Sequence, residues 1–428
     1  MGISMEILEE TGYGLDDVTL LPRSSKLRSR KDPKTETVLI GSYTISSPLM
    51  AANMEFSDWV LAASLARCGA VGIIHRFMTI EEEAQQVRNV KDTPISSTDH
   101  HELGYVDPKF GFSPSVDENG KLLVGATIGV NGDTMKRAEA LLAAGANFLA
   151  LEVAHAENPD VHRQMEMLKR DFPKALLMVG NVATGHSVTL LIQYGADAVK
   201  IGVGPGSACA TRMMTGVGVP QFTAVVWGVK ASNEAPEYTA KATVPIIADG
   251  GIKNPGHVAK LLAAGASSVM IGGLYAGTAE ANSELVWTDK GWFKSYRGLS
   301  SSESNYIGSQ VNGKAFDHDL VVAEGGVLRS PYYGTVAQLT YQMVGGVRSG
   351  MTYVGAHNLG EMHERALFMP LSAGAVKESY ERPFDPLEHR VPEEWIKAAH
   401  RDRGLLAVRE GESQRNGHAV TGRKVVRA

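Results

Sequence analysis

Four times along this chain, a stretch with helical spacing ends in a glycine and a small residue, and a short apolar run follows. Glycine after a helix adopts the left-handed conformation that ends it, and a short continuous apolar run is typical of a strand buried on both faces. The glycines at these junctions are Gly69, Gly145, Gly195 and Gly265. The pattern predicts repeated strand–helix units built around a parallel sheet.

Eight apolar runs have the length of strands. They cover residues 48–52, 70–75, 122–129, 148–155, 176–182, 198–204, 245–251 and 268–273. Eight parallel strands alternating with helices are the number found in a (β/α)8 barrel, so the predicted fold class is α/β, a single-domain TIM barrel. A doubly wound open sheet is the alternative, but it usually has fewer strands, and no GxGxxG motif follows an early strand.

Most of these runs end in polar residues or glycine. The residues at the ends are Asn53, His75, Glu152, His155, Asn181, Gly204, Asp249 and Gly273. In a barrel, all carboxyl ends of the strands lie at one rim, which is the catalytic face. We therefore expect these residues to surround one site.

Two segments interrupt the repeat. Residues 91–121 are polar and predict an insert loop, whereas residues 274–333 predict a mobile active-site loop and flap without regular structure of their own. We assign the barrel to residues 1–380 and a charged tail to residues 381–428, which composition predicts to be partly disordered.

Composition narrows the function classes. Of the 428 residues, 43% are hydrophobic and 21% are charged, and the net charge is −5, so we expect no nucleic-acid partner. No apolar run has the length of a membrane span, and no signal-peptide pattern opens the chain, so we expect no membrane association. Two cysteines cannot form a disulfide framework, which favours a reducing, cytoplasmic setting.

The strongest candidate site is the glycine-rich loop from Gly202 to Gln221, which contains Cys209 directly after an apolar strand. Its glycines allow backbone N–H groups to approach an anion, and Ser207 adds a hydroxyl donor. A thiol beside a phosphate cradle indicates covalent catalysis on a phosphorylated substrate. The alternative is a tight turn with a buried, inert cysteine.

This loop resembles the IMP dehydrogenase/GMP reductase family, and so do five further motifs in the same order along residues 14–380. They are Gly180-Asn181-Val182, Ala248-Asp249-Gly250-Gly251, Tyr296-Arg297-Gly298, Ala323-Glu324-Gly325 and Gly345-Gly346-Val347-Arg348-Ser349. The resemblance implies a (β/α)8 barrel, a purine nucleoside monophosphate substrate, a nicotinamide cofactor and a homotetramer. It also implies a monovalent cation, typically K⁺, on the carbonyl groups of Gly204, Gly206 and Cys209.

The resemblance assigns a role to individual residues. Cys209 would attack C2 of the purine, and Asp249 would accept hydrogen bonds from both ribose hydroxyls. An isolated Asp-Gly-Gly turn with a capping carboxylate is an equally good interpretation of Asp249. The resemblance implies Ser207, Gly251, Gly272, Gly273 and Tyr296 at the 5′-phosphate, and Gly298 and Ser300 at the base edge. Met54, Gly250 and Gly325 complete the implied substrate-binding residues.

Two reactions compete within the family. A dehydrogenase oxidises IMP and then hydrolyses the covalent intermediate with a water activated by an Arg-Tyr pair, whereas a reductase expels ammonia from GMP and then adds a hydride. The flap, residues 305–319, contains no Arg-Tyr dipeptide, which favours the reductase. Thr211 and Glu324 match the pair that delivers a proton to the departing amine, although many dehydrogenases also have this pair.

The chain departs from the family at two places. Glu55-Phe56 replaces Asp-Thr, and Glu152 with Ala154-His155-Ala156-Glu157 replaces the usual residues after the fourth strand. We assign Glu152, Ala154, His155 and Asn181 to the cofactor; NADPH is expected and NAD is the alternative. The regulatory tandem-domain insertion of most dehydrogenases is missing, because residues 91–121 are too short for it.

Other residues have open interpretations. Cys68 precedes the second strand and is expected in the core, and Lys200, inside the sixth strand, suits structural pairing and an active-site role equally. His75 and His155 are more often structural than catalytic. No residues have the spacing of a zinc site. Three functions follow: a GMP reductase, acting on GMP or a modified purine nucleotide such as a 7-deazaguanine monophosphate; an IMP dehydrogenase; or a non-catalytic nucleotide-binding protein.

Overall fold

A computed structural model describes residues 8–97, 99–130, 132–237, 243–311, 323–380 and 408–409. Part of the predicted flap, residues 312–322, and nearly all of the predicted tail lie outside the described residues.

The strands, in chain order, are β1 (Val18–Leu20), β2 (Thr37–Ile40), β3 (Tyr43–Ile45), β4 (Leu49–Ala51), β5 (Gly72–Ile74), β6 (Val124–Ile128), β7 (Phe148–Glu152), β8 (Leu177–Val182), β9 (Ala198–Ile201), β10 (Ile246–Asp249), β11 (Ser268–Ile271), β12 (Leu285–Thr288), β13 (Gly291–Arg297), β14 (Val327–Pro331), β15 (Phe368–Pro370) and β16 (Val408–Arg409). The α-helices are α1 (Trp59–Arg67), α2 (Ile80–Asp92), α3 (Thr134–Ala143), α4 (Pro159–Asp171), α5 (Gly185–Gln193), α6 (Thr211–Thr215), α7 (Gln221–Glu234), α8 (Pro255–Ala263), α9 (Gly273–Ala276), α10 (Ser302–Val311), α11 (Val336–Val354), α12 (Leu359–Arg365) and α13 (Ala373–Tyr380).

Strands β4 to β11 form one parallel sheet in the order β4-β11-β10-β9-β8-β7-β6-β5. A parallel bridge between Met50 and Val71 joins its two outer strands and closes the barrel. Each of the eight strands lies within one of the eight predicted runs, so the predicted TIM barrel is confirmed. Apolar side chains fill its interior, as the continuous apolar runs required.

The helix ends explain why the repeat is regular. The glycines at the four junctions, Gly69, Gly145, Gly195 and Gly265, all have positive φ values between 72° and 102°, where residues with a Cβ are strained. Other helices have signals at the amino end: α2 begins with a reciprocal capping box between Thr79 and Glu82. Local sequence therefore determines where each of these helices begins or ends.

The segment 274–333 differs from the expectation of a loop without regular structure. It contains the antiparallel strands β12, β13 and β14 and the helix α10. The β12–β13 hairpin turns at Gly291, which has a φ of 112°, and Trp287 packs against Trp292 across the two strands. These aromatic cross-strand contacts, rather than a hydrophobic run, stabilise the sheet.

Two small β-elements lie outside the barrel. Strands β2 and β3 form a hairpin, and β1 pairs with β15, which joins the two ends of the predicted barrel region. Residues 93–121, apart from the undescribed position 98, contain no α-helix or named strand; they include one 3-10 turn, Pro108–Phe110, and an isolated bridge from Val116 to Leu122.

Candidate active site

A cavity of about 700 Å³ opens at the carboxyl ends of the barrel strands. Its walls contain nearly every residue that the sequence assigns to the site: Met54, Glu152, Ala154, Asn181, Gly204, Gly206, Ser207, Cys209, Thr211, Asp249, Gly250, Gly251, Gly272, Gly273, Tyr296, Gly298, Ser300, Glu324 and Gly325. Two expected residues are exceptions: His155 is exposed, the strand-end residue His75 is buried, and neither lines the cavity. The parallel barrel thus brings residues from across the chain to one rim, as predicted.

The loop after β9 holds Cys209 at the mouth of this cavity. Gly202 has a φ of 156°, and a Cβ at this position would lie 2.1 Å from the Asp249 carbonyl oxygen. Only glycine fits such a close approach between the two loops. The Cys209 N–H donates to the Gly206 carbonyl at 3.0 Å, and the thiol is exposed and free. The alternative of a buried Cys209 is therefore wrong.

Three side chains form a line of hydrogen bonds that starts at this thiol. The Cys209 Sγ lies 3.1 Å from the Thr211 hydroxyl oxygen, and the Thr211 hydroxyl donates to the Glu324 carboxylate at 2.8 Å. The backbone supports this alignment, because Cys209 pairs with Gly325 in an antiparallel bridge and the Ala210 N–H donates to the Glu324 carbonyl at 2.6 Å. Two segments more than 100 residues apart thus bring one thiol and one carboxylate to the same hydroxyl group.

A second part of the wall surrounds the predicted phosphate site. The Tyr296 ring is buried beside Ser207, and a Cβ at Gly273 would lie 2.8 Å from the Tyr296 hydroxyl oxygen. Burial raises the pKa of Tyr296, while a hydrogen bond with Ser207 opposes this shift. Gly250 and Gly251 both have positive φ values, so their backbone turns sharply below Pro205. Hydroxyl groups and glycine backbone therefore converge here.

Lys200 does not line the cavity itself; its side chain is 1% exposed and lies behind three residues of the cavity wall. Its ammonium group donates to Glu152 Oε1 at 2.9 Å, to Asp249 Oδ2 at 2.7 Å and to the Asn181 side-chain oxygen. Burial by itself lowers the pKa of Lys200, but Asp249 and Glu152 outweigh it, so the net direction is upward. Burial is also the main cause of the raised pKa of Glu152. Lys200 is therefore ion-paired, as the structural interpretation predicted, and its partners Glu152, Asn181 and Asp249 line the cavity.

Sequence reasoning missed several cavity residues. The sequence marks Asn53 only as a strand end, yet its side-chain amide donates to Thr127 at 2.9 Å and faces Glu152 at 3.4 Å. Arg76 follows β5 and lines the cavity beside Phe77. Its position after a strand already placed Asn53 at the site, without a role, and a basic residue just after a barrel strand is the signal that could have found Arg76.

The predicted cation ligands lie on one continuous loop. The Gly206 carbonyl already accepts one hydrogen bond from Cys209, but a main-chain carbonyl has two lone pairs and can also contact a cation. Within the described residues, no cluster of three or more histidine, cysteine, aspartate or glutamate residues could hold a metal. The cation site on the carbonyl groups of Gly204, Gly206 and Cys209 stays a prediction.

Comparison with known proteins decides the family. The family model for the IMP dehydrogenase / GMP reductase domain matches residues 12–381. The chain belongs to this family.

Curated relatives and a solved structure agree with this assignment. An inosine-5′-monophosphate dehydrogenase of Aquifex aeolicus is 42% identical, covering 92% of this chain and 100% of the relative. One from Nitrosopumilus maritimus is 33% identical, covering 88% and 98%. The crystal structure of a cysteine-to-alanine variant of GMP reductase from Trypanosoma brucei, in complex with guanosine 5′-monophosphate, matches with a TM-score of 0.77 and 28% identity, covering 86% of this chain and 97% of that one.

Family membership makes this chain an oxidoreductase of purine nucleotides that uses a nicotinamide cofactor. The residues of the cavity agree with that chemistry, because they combine a free thiol, a carboxylate relay and a cradle of glycines and hydroxyl groups. In the described part of the chain, no helix is both long and apolar enough to cross a membrane.

Proposed function

We propose that this protein is a GMP reductase: it converts GMP, NADPH and a proton to IMP, ammonia and NADP⁺ through a thioimidate between Cys209 and C2 of the purine. The observation that carries the covalent mechanism is the hydrogen-bonded line from Cys209 through Thr211 to Glu324. The choice of a reductase over a dehydrogenase rests on the lack of an Arg-Tyr pair in residues 305–319. Such a line supports a reaction that needs a nucleophile and a general acid at the same carbon atom.

The first half-reaction uses only groups of this chain. The thiol proton of Cys209 passes through the Thr211 hydroxyl to Glu324, and the sulfur bonds to C2 while the C2–N3 electron pair moves to N3. The proton on Glu324 then returns through Thr211 to the exocyclic nitrogen. The C2–N bond breaks, ammonia leaves, and the double bond to N3 forms again. Protonating the nitrogen matters because an amide anion is a very poor leaving group.

In the second half-reaction, the nicotinamide cofactor, when bound, supplies a hydride to C2. The C2–S bond breaks, and the Cys209 sulfur takes up the remaining proton. Glu152, Ala154 and Asn181, which line the cavity, would hold the cofactor. The carbonyl groups of Gly204, Gly206 and Cys209 would hold a K⁺ ion that stabilises this loop.

The nucleotide would be held by three groups of residues. Asp249 would accept hydrogen bonds from the ribose hydroxyls. Both observed hydrogen bonds to its side chain use Oδ2, so Oδ1 would face the ribose. Ser207 and Tyr296, with the neighbouring glycines, would hold the 5′-phosphate, a role that suits a site near the last strands of a barrel. We also propose a homotetramer in the cytoplasm, as expected from the resemblance and from the free thiols.

A specific observation favours a second candidate, IMP dehydrogenase, because the curated relatives named above carry that activity in their names. The sequence speaks against it, since residues 305–319 contain no Arg-Tyr pair to activate a water. A slow hydrolysis of the covalent intermediate would result.

The deciding experiment incubates the purified protein with GMP and NADPH, and separately with IMP and NAD⁺. Loss of NADPH absorbance with stoichiometric ammonia release is expected only in the first mixture. NADH formation from IMP without any reaction of GMP would establish the dehydrogenase instead. Consumption with a 7-deazaguanine nucleotide but not with GMP would change the substrate and keep the mechanism. Turnover that is unchanged in Cys209→Ala would contradict covalent catalysis.

A further inference from the structure

Glu55, which follows β4 and the predicted substrate residue Met54, makes two contacts with the segment on the opposite side of the cavity. Its Oε1 accepts a hydrogen bond from the Ser304 hydroxyl at 2.7 Å, and its Oε2 lies 3.2 Å from Arg297 Nε. Ser304 is fully buried at the start of α10, and Glu55 is 21% exposed. A charged acceptor makes such a buried hydrogen bond strong.

Phe56, the residue after Glu55, contacts the same strand as Glu55 does. The Phe56 ring meets the Tyr296 ring edge-on, with centroids 6.3 Å apart. Glu55 and Phe56 thus contact Arg297 and Tyr296, two consecutive residues of β13. Glu55 and Phe56 are the two residues that replace the Asp-Thr of the family. The departure therefore has matching partners on the other wall of the cavity.

Ser304 connects Glu55 to the turn between β13 and α10. The Ser301 hydroxyl donates to the Ser304 oxygen at 3.0 Å, and the Ser304 N–H donates to the Ser301 oxygen at 3.2 Å. The Ser301 N–H donates in turn to the Gly298 carbonyl at 3.0 Å, which closes the turn. Because both serines are buried, each hydroxyl needs these partners to avoid an unsatisfied polar group.

The other side of this turn carries the segment of Glu324. The Ser300 carbonyl accepts from the Glu324 N–H at 3.1 Å and from the Gly325 N–H at 3.2 Å. The Gly298 N–H donates to the Gly326 carbonyl at 3.0 Å. Contacts therefore run without interruption from the Glu55 carboxylate, through Ser304 and the turn 298–301, to the backbone of Glu324.

We propose that Glu55 is a positioning residue for proton transfer: acting through Ser304 and the turn 298–301, it holds the Glu324 carboxylate at hydrogen-bonding distance from Thr211. The inference rests on the proposed reductase function. Glu55 itself touches neither the thiol nor Thr211. Its effect is geometric, and a displacement of about 1 Å in a reacting group can cost on the order of 100-fold in rate.

The test compares Ser304→Ala and Glu55→Gln with the wild type and with the control Ser187→Ala. Ser187 donates to Glu157, so the control removes a serine-to-glutamate hydrogen bond of the same kind between residues that do not line the cavity. Steady-state kcat and KM for GMP are measured, and single-turnover experiments follow ammonia release from GMP separately from adduct formation with IMP and NADP⁺.

We expect both variants to lower kcat for GMP roughly 10- to 100-fold and to slow ammonia release, while the KM for GMP and adduct formation from IMP change by less than about 3-fold. Ser187→Ala should behave as the wild type. Glu55→Asp, which keeps the charge on a shorter side chain, should recover part of the lost kcat.

Equal slowing of both half-reactions, or a Ser304→Ala rate equal to that of Ser187→Ala, would overturn the positioning role. If Glu55→Gln does not fold, Ser304→Ala carries the test, because it removes one hydroxyl and no charge. A wild type that releases no ammonia from GMP refutes the proposed function and this inference with it. An active wild type with unaffected variants refutes the inference alone.

Discussion

The two ends of the barrel each contain a cysteine and a lysine paired with carboxylates, but they use them differently. At the carboxyl end, Cys209 is exposed on a glycine loop and Lys200 holds Glu152 and Asp249 beneath an open cavity. At the amino end, Cys68 is completely buried after α1, and Lys169 bonds to the Ala175 carbonyl and to Asp197.

The two ends differ in whether the carboxylates that pair with the lysines also face a cavity. Asp197 also accepts the Leu177 N–H at 2.8 Å, so Lys169 and Asp197 fasten the beginnings of two strands to one another. Lys91 does the same two repeats earlier, with Asp117, Asn147 and the Leu122 carbonyl as partners. The carboxylates around Lys200 instead border the cavity. The same residue types thus stabilise the fold at the amino end of the barrel and are available to a ligand at the carboxyl end.

The largest effect on turnover is expected when the cysteines at the two ends of the barrel are substituted in turn. Cys209→Ser is expected to reduce turnover of GMP by at least about 1000-fold with little change in nucleotide affinity, because an alcohol is a far weaker nucleophile than a thiolate. Cys68→Ser should retain turnover. Burial, with a smaller contribution from Glu280, raises the pKa of the Cys68 thiol well above its ordinary value, so alkylating reagents should modify Cys209 alone. Full activity of the Cys209 variant would remove the basis of the mechanism.

Glu324→Gln tests the relay at the carboxyl end. An amide cannot store the thiol proton, so ammonia release should slow on the order of 100-fold, whereas hydride transfer should change much less. Rapid-quench measurement of ammonia, together with stopped-flow measurement of NADPH oxidation, separates the two steps. Equal effects on both would assign Glu324 to a general structural role.

Substituting Lys200 and Lys169 in turn compares the two ends of the barrel directly. Lys200→Met leaves two carboxylates without their cation and should destabilise the fold by about 3–5 kcal/mol while also weakening nucleotide binding. Lys169→Met should cost about 1–2 kcal/mol and leave kcat and KM unchanged. Denaturant titration and steady-state kinetics of both variants provide the comparison. A catalytic defect in Lys169→Met would show that the two ends are not separate in function.

The smallest expected effect concerns His75, which lies at the catalytic rim but is buried, with its Nδ1 accepting the Phe77 N–H. Burial lowers the pKa of His75 to about 4 from its ordinary 6.5. The unfolded chain binds this proton more readily, so the stability contribution is complete above pH 6.5 and is lost as the pH falls towards 4, by about 3 kcal/mol at most.

His75→Gln should therefore flatten the acid side of the stability profile, measured by denaturant titration between about pH 7 and pH 4. His186→Gln replaces an exposed histidine and provides the control. An unchanged profile in His75→Gln would mean that other groups determine the acid sensitivity.

Much of the fold was predictable because it depends on local signals. The four junction glycines and the eight apolar runs act over a few residues, and each has the predicted conformation. The sheet in residues 274–333 was not predictable in this way, since its strands mix polar and aromatic residues. It depends on contacts between strands, such as the packing of Trp287 on Trp292 and the pairing of β13 with β14.

The sequence by itself determined the order of the barrel units, the end at which the polar strand ends collect, and the thiol loop, because backbone preferences and buried apolar runs are properties of neighbouring residues. Only the tertiary structure decided which side chains meet: Lys200 with Asp249, 49 residues away, and Glu55 with Ser304, 249 residues away. Such pairs form because closing the barrel brings distant strand ends to one rim, and no local pattern specifies which partners face each other there.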